Sequence, residues 1–128
     1  MAQTPDTPDE RFLAGVSHFN RGEYFEAHEV WEDVWRDCPA ADRRFYQGLI
    51  QAAVAVYHYS RNNHAGAARL FGSGKRYMSA YRPAHLGLSI DRFWQDVEAH
   101  IAPALGDPAA PSGPRPVITL DPAPAGSS

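Results

Sequence analysis

The distribution of proline divides the chain into a part that can form helices and a part that cannot. Seven of the eleven prolines lie from Pro103 onward. A proline inside a helix removes a backbone donor and clashes with the preceding turn, so no helix continues through this stretch. We therefore expect a helical domain over residues 7–104 and a mobile, proline-rich tail over residues 105–128. One β-prone run in the tail, residues 116–121, is expected to dock against the helices in extended form.

Apolar residues recur at helical spacing in five segments before the tail. Thr7 is the predicted N-cap of the first helix, with Pro8 at its first position, and Gly22 is expected to end that helix in a left-handed conformation. Residues 1–6 are expected to be disordered. The predicted fold class is all-α, a compact antiparallel bundle of about five helices with an extended C-terminal tail. The predicted helices cover residues 8–21, 23–38, 41–61, 64–81 and 90–101.

The third and fourth predicted helices differ in how they are expected to pack. The third is apolar nearly all round, which is typical of a helix in the middle of a bundle. The fourth contains Gly66, Gly72 and Gly74, which lower its helix propensity. We expect these small residues to let a neighbouring helix approach closely.

Composition excludes several classes of function. With 128 residues and 44 % hydrophobic residues, the chain is long and apolar enough to form one globular domain. Its net charge of −3 gives no general attraction to nucleic acid or to anionic membranes, so neither is expected as a partner. The longest apolar stretch, residues 49–57, is far shorter than the roughly 20 residues that span a bilayer. Cys38 is the only cysteine, which excludes an internal disulfide, and no signal-peptide pattern is present, so we expect a cytoplasmic protein.

The second predicted helix contains the ionisable residues that are the best candidates for chemistry. His28 and Glu32, four residues apart, are neighbours at the edge of its apolar face, and Glu29 is within reach of Glu32. A histidine and a carboxylate at this spacing are a common half-site for a divalent metal. The zinc-protease pattern H-E-x-x-H is not met, because Glu32 stands where it requires histidine. A structural hydrogen-bonded pair, a functional pocket and plain exposed surface all remain open.

The third predicted helix has a matching polar stripe on an otherwise apolar surface. The stripe consists of Gln47, Gln51 and His58. It either meets solvent or faces the His28/Glu32 edge and closes a polar pocket between the two helices. We expect such a pocket to be structural or to bind a small polar ligand or a metal.

Two segments resemble a known family. The first, residues 19–36, contains Tyr-Phe-Glu-Ala-His-Glu-Val-Trp-Glu, and the second, residues 45–51, reads Phe-Tyr-Gln-Gly-Leu-Ile-Gln. Together they resemble domain-of-unknown-function family 309, a small prokaryotic all-helical family, over about residues 9–82. The resemblance implies a compact helical domain, and it carries the label of predicted metal-dependent hydrolase without an established reaction. The family's polar signature falls on His28, Glu29, Glu32, Gln47 and Gln51, whereas His58 fits only the stripe.

Two hypotheses from different classes follow. If the protein is a metal-dependent hydrolase, His28 and Glu32 would bind a divalent metal and Glu29 would be the catalytic base or a further ligand. Gln47 and Gln51 would orient the substrate, and His58 or a partner subunit would complete the site. If it is a binding module, its helical hairpins would resemble tetratricopeptide units that bind a protein partner through Trp, Tyr and Arg side chains. A homodimer is a further possibility, because several aromatic residues could be exposed.

Overall fold

Five α-helices form most of residues 8–122, the part of the chain described by the structure, which is a computed structural model. The predicted all-α class is confirmed. The helices are α1 Glu10–Asn20, α2 Tyr24–Asp37, α3 Arg43–Ser60, α4 His64–Met78 and α5 Ile90–His100. Short 3₁₀ segments lie at Ala40–Asp42, Ser79–Tyr81 and Ala102–Ala104. The first overlaps the predicted start of the third helix, the second replaces the predicted end of the fourth, and the third follows the predicted fifth helix. The two-residue strands β1 Ala84–His85 and β2 Leu88–Ser89 pair antiparallel just before α5.

The ends of α1 are set by local backbone chemistry. Its N-cap is Asp9, whose carboxylate accepts a hydrogen bond from the backbone N–H of Arg11 at 2.8 Å. The predicted cap, Thr7, and the predicted disordered residues 1–6 lie outside the described residues. Gly22 follows the helix with φ of +80°, a left-handed conformation that side-chain-bearing residues rarely adopt. The predicted stop at Gly22 is therefore where the chain turns into α2.

Aromatic side chains join the first three helices into one core. The indole N–H of the fully buried Trp31 on α2 donates to the carbonyl of Phe12 on α1 at 3.2 Å. The Phe12 ring lies 6.1 Å from the Phe45 ring and 6.0 Å from the Tyr46 ring, both on α3. Fully burying one such side chain contributes about 1.5–3 kcal/mol. Shared burial therefore holds α1 against both α2 and α3.

Helices α3 and α4 approach each other closely at two glycines. A Cβ atom added to Gly48 would lie 3.0 Å from the carbonyl oxygen of Gly74, and one added to Gly74 would lie 3.2 Å from that of Gly48. Both distances are shorter than ordinary carbon–oxygen contact. The small residues that the sequence places on the fourth helix thus include one at the crossing, Gly74, and it meets a glycine of α3.

The C-terminal segment lies against the helices in extended form. Ile118 and Leu120 are buried, whereas the alternate residue Val117 is 56 % exposed. The Asn20 side chain fixes the segment through two hydrogen bonds, since Oδ1 accepts from the N–H of Ile118 at 2.7 Å and Nδ2 donates to its carbonyl at 2.9 Å. The N–H of Asp121 then donates to the carbonyl of Gly87 at 2.9 Å. The segment therefore packs beside the end of α1 and the hairpin before α5, whereas the outer side of α2, with Glu26, Glu29 and Asp33, is exposed.

Candidate functional site

The structure brings His28 and Glu32 together on α2. His28 Nε2 lies 3.5 Å from Glu32 Oε2, and His28 Nδ1 lies 3.0 Å from the backbone carbonyl of Phe25. Because a carbonyl oxygen only accepts, the contact assigns the ring proton to Nδ1. A neutral His28 therefore has the lone pair of Nε2 free and directed toward the side on which Glu32 lies. This is the arrangement of a metal-ligating histidine, whose other nitrogen donates to a carbonyl. A protonated His28 would instead form an ion pair with Glu32.

Within residues 8–122, none of the other predicted site residues forms a hydrogen bond or an ion pair with His28 or Glu32. Glu29 is exposed on α2. Gln51 lies against α4, because a Cβ added to Gly74 would be 3.1 Å from Gln51 Cβ, and its buried Oε1 has no hydrogen-bond partner among the described residues. His58 Nδ1 lies 3.3 Å from Asn63 Nδ2, in the turn before α4. Gln47 is half-buried and, within residues 8–122, forms no hydrogen bond with the α2 pair.

The side chains around His28 supply too few ligands for a complete metal site. Within residues 8–122, no group of three or more His, Cys, Asp or Glu side chains is placed to hold a metal ion. Glu32 has a cationic neighbour, the Arg36 guanidinium, 3.9 Å away. Structural zinc sites use four protein ligands and catalytic ones usually three. The His28/Glu32 pair supplies two.

A surface between α2 and α3 contains the pair and has aromatic residues at both of its ends. At one end the Phe25 and Tyr57 rings lie 5.9 Å apart, and at the other the Arg43 guanidinium lies 4.3 Å from the centre of the Trp35 ring. Phe25 is 49 % exposed and is one of two large hydrophobic residues that are exposed in the described chain. We call this surface the α2/α3 seam. Its residues are Phe25, His28, Glu32 and Trp35 on α2 and Arg43, Gln47, Ile50, Val54 and Tyr57 on α3.

Charge is distributed unevenly along the seam. Glu26, Glu29 and Asp33 are exposed on the outer side of α2, next to the half-buried Glu32. Arg36 offsets part of this charge through its ion pair with Asp33, at 2.7 Å. The α2 side of the seam is therefore acidic over its middle turns.

The structure also forms a histidine–carboxylate pair that the sequence did not reveal. His85 Nε2 lies 2.8 Å from Asp42 Oδ1, and the imidazole contacts the rings of Tyr81 and Phe45 at centroid distances of 4.7 and 4.8 Å. The two residues are 43 positions apart, so no local spacing could have predicted them. Nearby Cys38 is not activated, because burial, followed by the charge of Asp42, raises the pKa of its thiol. The pair joins the 3₁₀ turn after α2 to the hairpin before α5.

Comparison with known proteins shows that the part of the chain that contains the seam matches a described family. Residues 12–70 match the model of a family described as Domain of unknown function (DUF309). The match covers a little under half of the chain, so this segment is similar to the members of the DUF309 family. The resemblance that the sequence motifs indicate is thereby confirmed, and the matched segment contains every predicted site residue. Residues 71–128, with α5 and the docked C-terminal run, lie beyond the match.

Two curated relatives are similar over parts of their length. The "Uncharacterized protein YpuF" of Bacillus subtilis (strain 168) is 43 % identical over 70 residues, which are 54 % of this chain and 40 % of the relative. An "Uncharacterized protein" of Aquifex aeolicus (strain VF5) is 32 % identical over 53 residues, which are 41 % of this chain and 16 % of the relative. The chain thus spans less than half the length of either relative. Neither name states an activity.

Within the described residues, no helix combines the length and apolar character that crossing a membrane requires.

Proposed function

We propose that the protein is a helical binding domain that holds an amphipathic helix of a partner protein in the α2/α3 seam. One observation carries the proposal: Phe25 is half-exposed although it is a large apolar residue, and it contacts Tyr57 at one end of the half-buried seam. Scattered exposed apolar residues are normal, whereas aromatic and arginine side chains grouped on one surface are typical of binding sites.

The length of the seam suits a short helix. Phe25 and Trp35 are ten residues apart on α2, a distance of about 15 Å or nearly three turns. A partner helix of that length presents apolar residues at i, i+3 or i+4, and i+7. The aromatic ends of the seam would contact the first and last of these residues, and Ile50 and Val54 would contact the middle one.

The charge of the seam predicts the polar residues of the partner. Glu29 and Glu32 lie on the middle turns of α2. Within residues 8–122, the 3.9 Å contact of Glu32 with Arg36 is the one ion pair that either forms with lysine or arginine. A lysine or arginine flanking the apolar residues of the partner would complement them. Such rim charges chiefly accelerate association and select the partner, so the association rate should fall as salt is added.

The rival function is metal-dependent hydrolysis, and the His28/Glu32 geometry is the observation that favours it. Nε2 has the free lone pair that a metal ligand needs, and exposed Glu29 follows His28 directly in the chain. The site would still need a third ligand from another molecule, because no third donor side chain lies with the pair in residues 8–122. The binding domain requires no additional group, and for that reason we prefer it.

Site-specific photocrosslinking tests the binding domain and identifies its partner. A photoreactive phenylalanine replaces Glu29, exposed on α2 beside the seam, in one variant and Glu98, exposed on α5, in a matched control. Both variants are irradiated in cells of the source organism, and the adducts are identified by mass spectrometry. We expect one predominant protein adduct at position 29, absent at position 98, with the crosslink mapped to a helical segment. No adduct, or the same adducts at both positions, would overturn the proposal, and an adduct of two copies of this chain would replace it with a homodimer.

A further inference from the structure

A cavity lies between the end of α4 and the start of α5. It has a volume of about 250 Å³. A water molecule occupies about 30 Å³ of liquid, so the cavity has room for on the order of eight heavy atoms. Its lining residues include Lys75, Ser79, Arg82, Asp91, Trp94 and Gln95. All of them lie outside the segment that matches the family model.

The charged groups of the cavity are unevenly paired. Arg82 is bound to Asp91 through Nε–Oδ1 and Nη2–Oδ2 contacts of 2.6 and 3.1 Å, and this pairing raises the pKa of the guanidinium further. Lys75 forms no ion pair with any carboxylate in residues 8–122, and its Nζ instead lies 5.6 Å from the centre of the Phe71 ring. One ammonium group therefore remains without a counter-charge at the cavity, which has a net charge of about +1.

The remainder of the lining is mixed. Ser79 and Gln95 are polar, whereas Ile90 and Trp94 are each only 2 % exposed. The two apolar residues therefore offer little accessible surface. A molecule bound here would meet mainly charged and polar side chains.

We propose that this cavity binds a small organic anion, a carboxylate or a phosphate ester. The anionic group pairs with Lys75 and shares Arg82 with Asp91. Two positive side chains and one negative one select for anions, and the volume limits the ligand to about the size of a single substituted ring.

Three probes that share a phenyl ring test the charge requirement. Benzoate, phenyl phosphate and neutral benzamide are titrated separately into ¹⁵N-labelled full-length protein at constant ionic strength. The indole N–H signals of Trp94, in the cavity wall, and Trp31, in the core, are followed. We expect one or both anions to shift the Trp94 signal in a saturable manner, benzamide to leave it unchanged, and the Trp31 signal to stay fixed. The stronger anion identifies the source as carboxylate or phosphate ester, whereas an equal response to benzamide, or no response to either anion, overturns the proposal.

Three variants test the assigned residues. Lys75→Gln is expected to weaken binding of the stronger anion at least about threefold, as for loss of one partly exposed ion pair, and Asp91→Asn to strengthen it by a similar factor because Arg82 is released. Arg76→Gln removes the same charge from the next residue, which is exposed and does not line the cavity, and is expected to leave affinity unchanged. Equal losses for Lys75→Gln and Arg76→Gln would show general charge attraction and overturn the site.

Discussion

Alanine at position 74 tests the close approach of α3 and α4. A Cβ there would lie 2.8 Å from Cη2 of Trp94 and 3.2 Å from the carbonyl oxygen of Gly48, and the latter is backbone that cannot rotate away. Overpacking of this kind costs about 1–3 kcal/mol, and replacing glycine by alanine in a helix regains about 1 kcal/mol. We therefore expect Gly74→Ala to lower the free energy of unfolding by about 1 kcal/mol.

Gly72→Ala is the matched control on the same helix. Its added Cβ would meet only Arg76 Nη1 at 3.6 Å, an ordinary contact, so the variant should gain about 1 kcal/mol from helix propensity. The two variants should differ by about 2 kcal/mol, or on the order of 8 °C in melting temperature for a domain of this size. Urea unfolding at 25 °C measures both. Equal stability of the two variants would refute the close packing at Gly74.

Three further predictions concern ion pairs, the C-terminal segment and metal. Arg11 lowers the pKa of Asp37, so this ion pair stabilises the fold at neutral pH, and its contribution is lost as the pH falls below about 4. Arg11→Met should therefore flatten the plot of melting temperature against pH over that range. An unchanged plot would refute the ion pair. Asn20→Ala should lower the free energy of unfolding by about 1–3 kcal/mol and accelerate hydrogen exchange of the Ile118 amide. Unchanged exchange would contradict the anchoring of the C-terminal segment by Asn20. Elemental analysis should find no stoichiometric metal, and chelator should leave the melting temperature unchanged; a full equivalent of metal that Glu32→Gln abolishes would favour the hydrolase.

The helices themselves follow from local chemistry that can be seen in the sequence. Gly22 takes a left-handed conformation that is readily available to glycine, and prolines prevent a helix after α5. The all-round apolar pattern of the third helix agrees with the central position of α3, which packs against both α2 and α4. The ends of the helices were less predictable. The capping role of Asp9 and the positions of the 3₁₀ turns depend on the backbone geometry of one or two residues.

The candidate site could be predicted on one helix but not between helices. The spacing of His28 and Glu32 determines that they meet on α2, because residues four apart lie on the same face. The helical wheel also places Gln51 on a polar stripe, but it does not say which neighbour lies on that side, and the neighbour is α4. The pair of Asp42 and His85 depends on how the hairpin before α5 folds back, which no short-range pattern contains.

The most direct test of the binding domain is the affinity of the partner captured at position 29 for two matched variants. Phe25 and Val117 are both exposed apolar residues, at 49 and 56 %, but only Phe25 lies in the seam. Isothermal titration should show that Phe25→Glu weakens binding by at least about tenfold, the factor for 1.4 kcal/mol, whereas Val117→Glu leaves it unchanged. Equal affinities of the two variants for the partner would contradict the account.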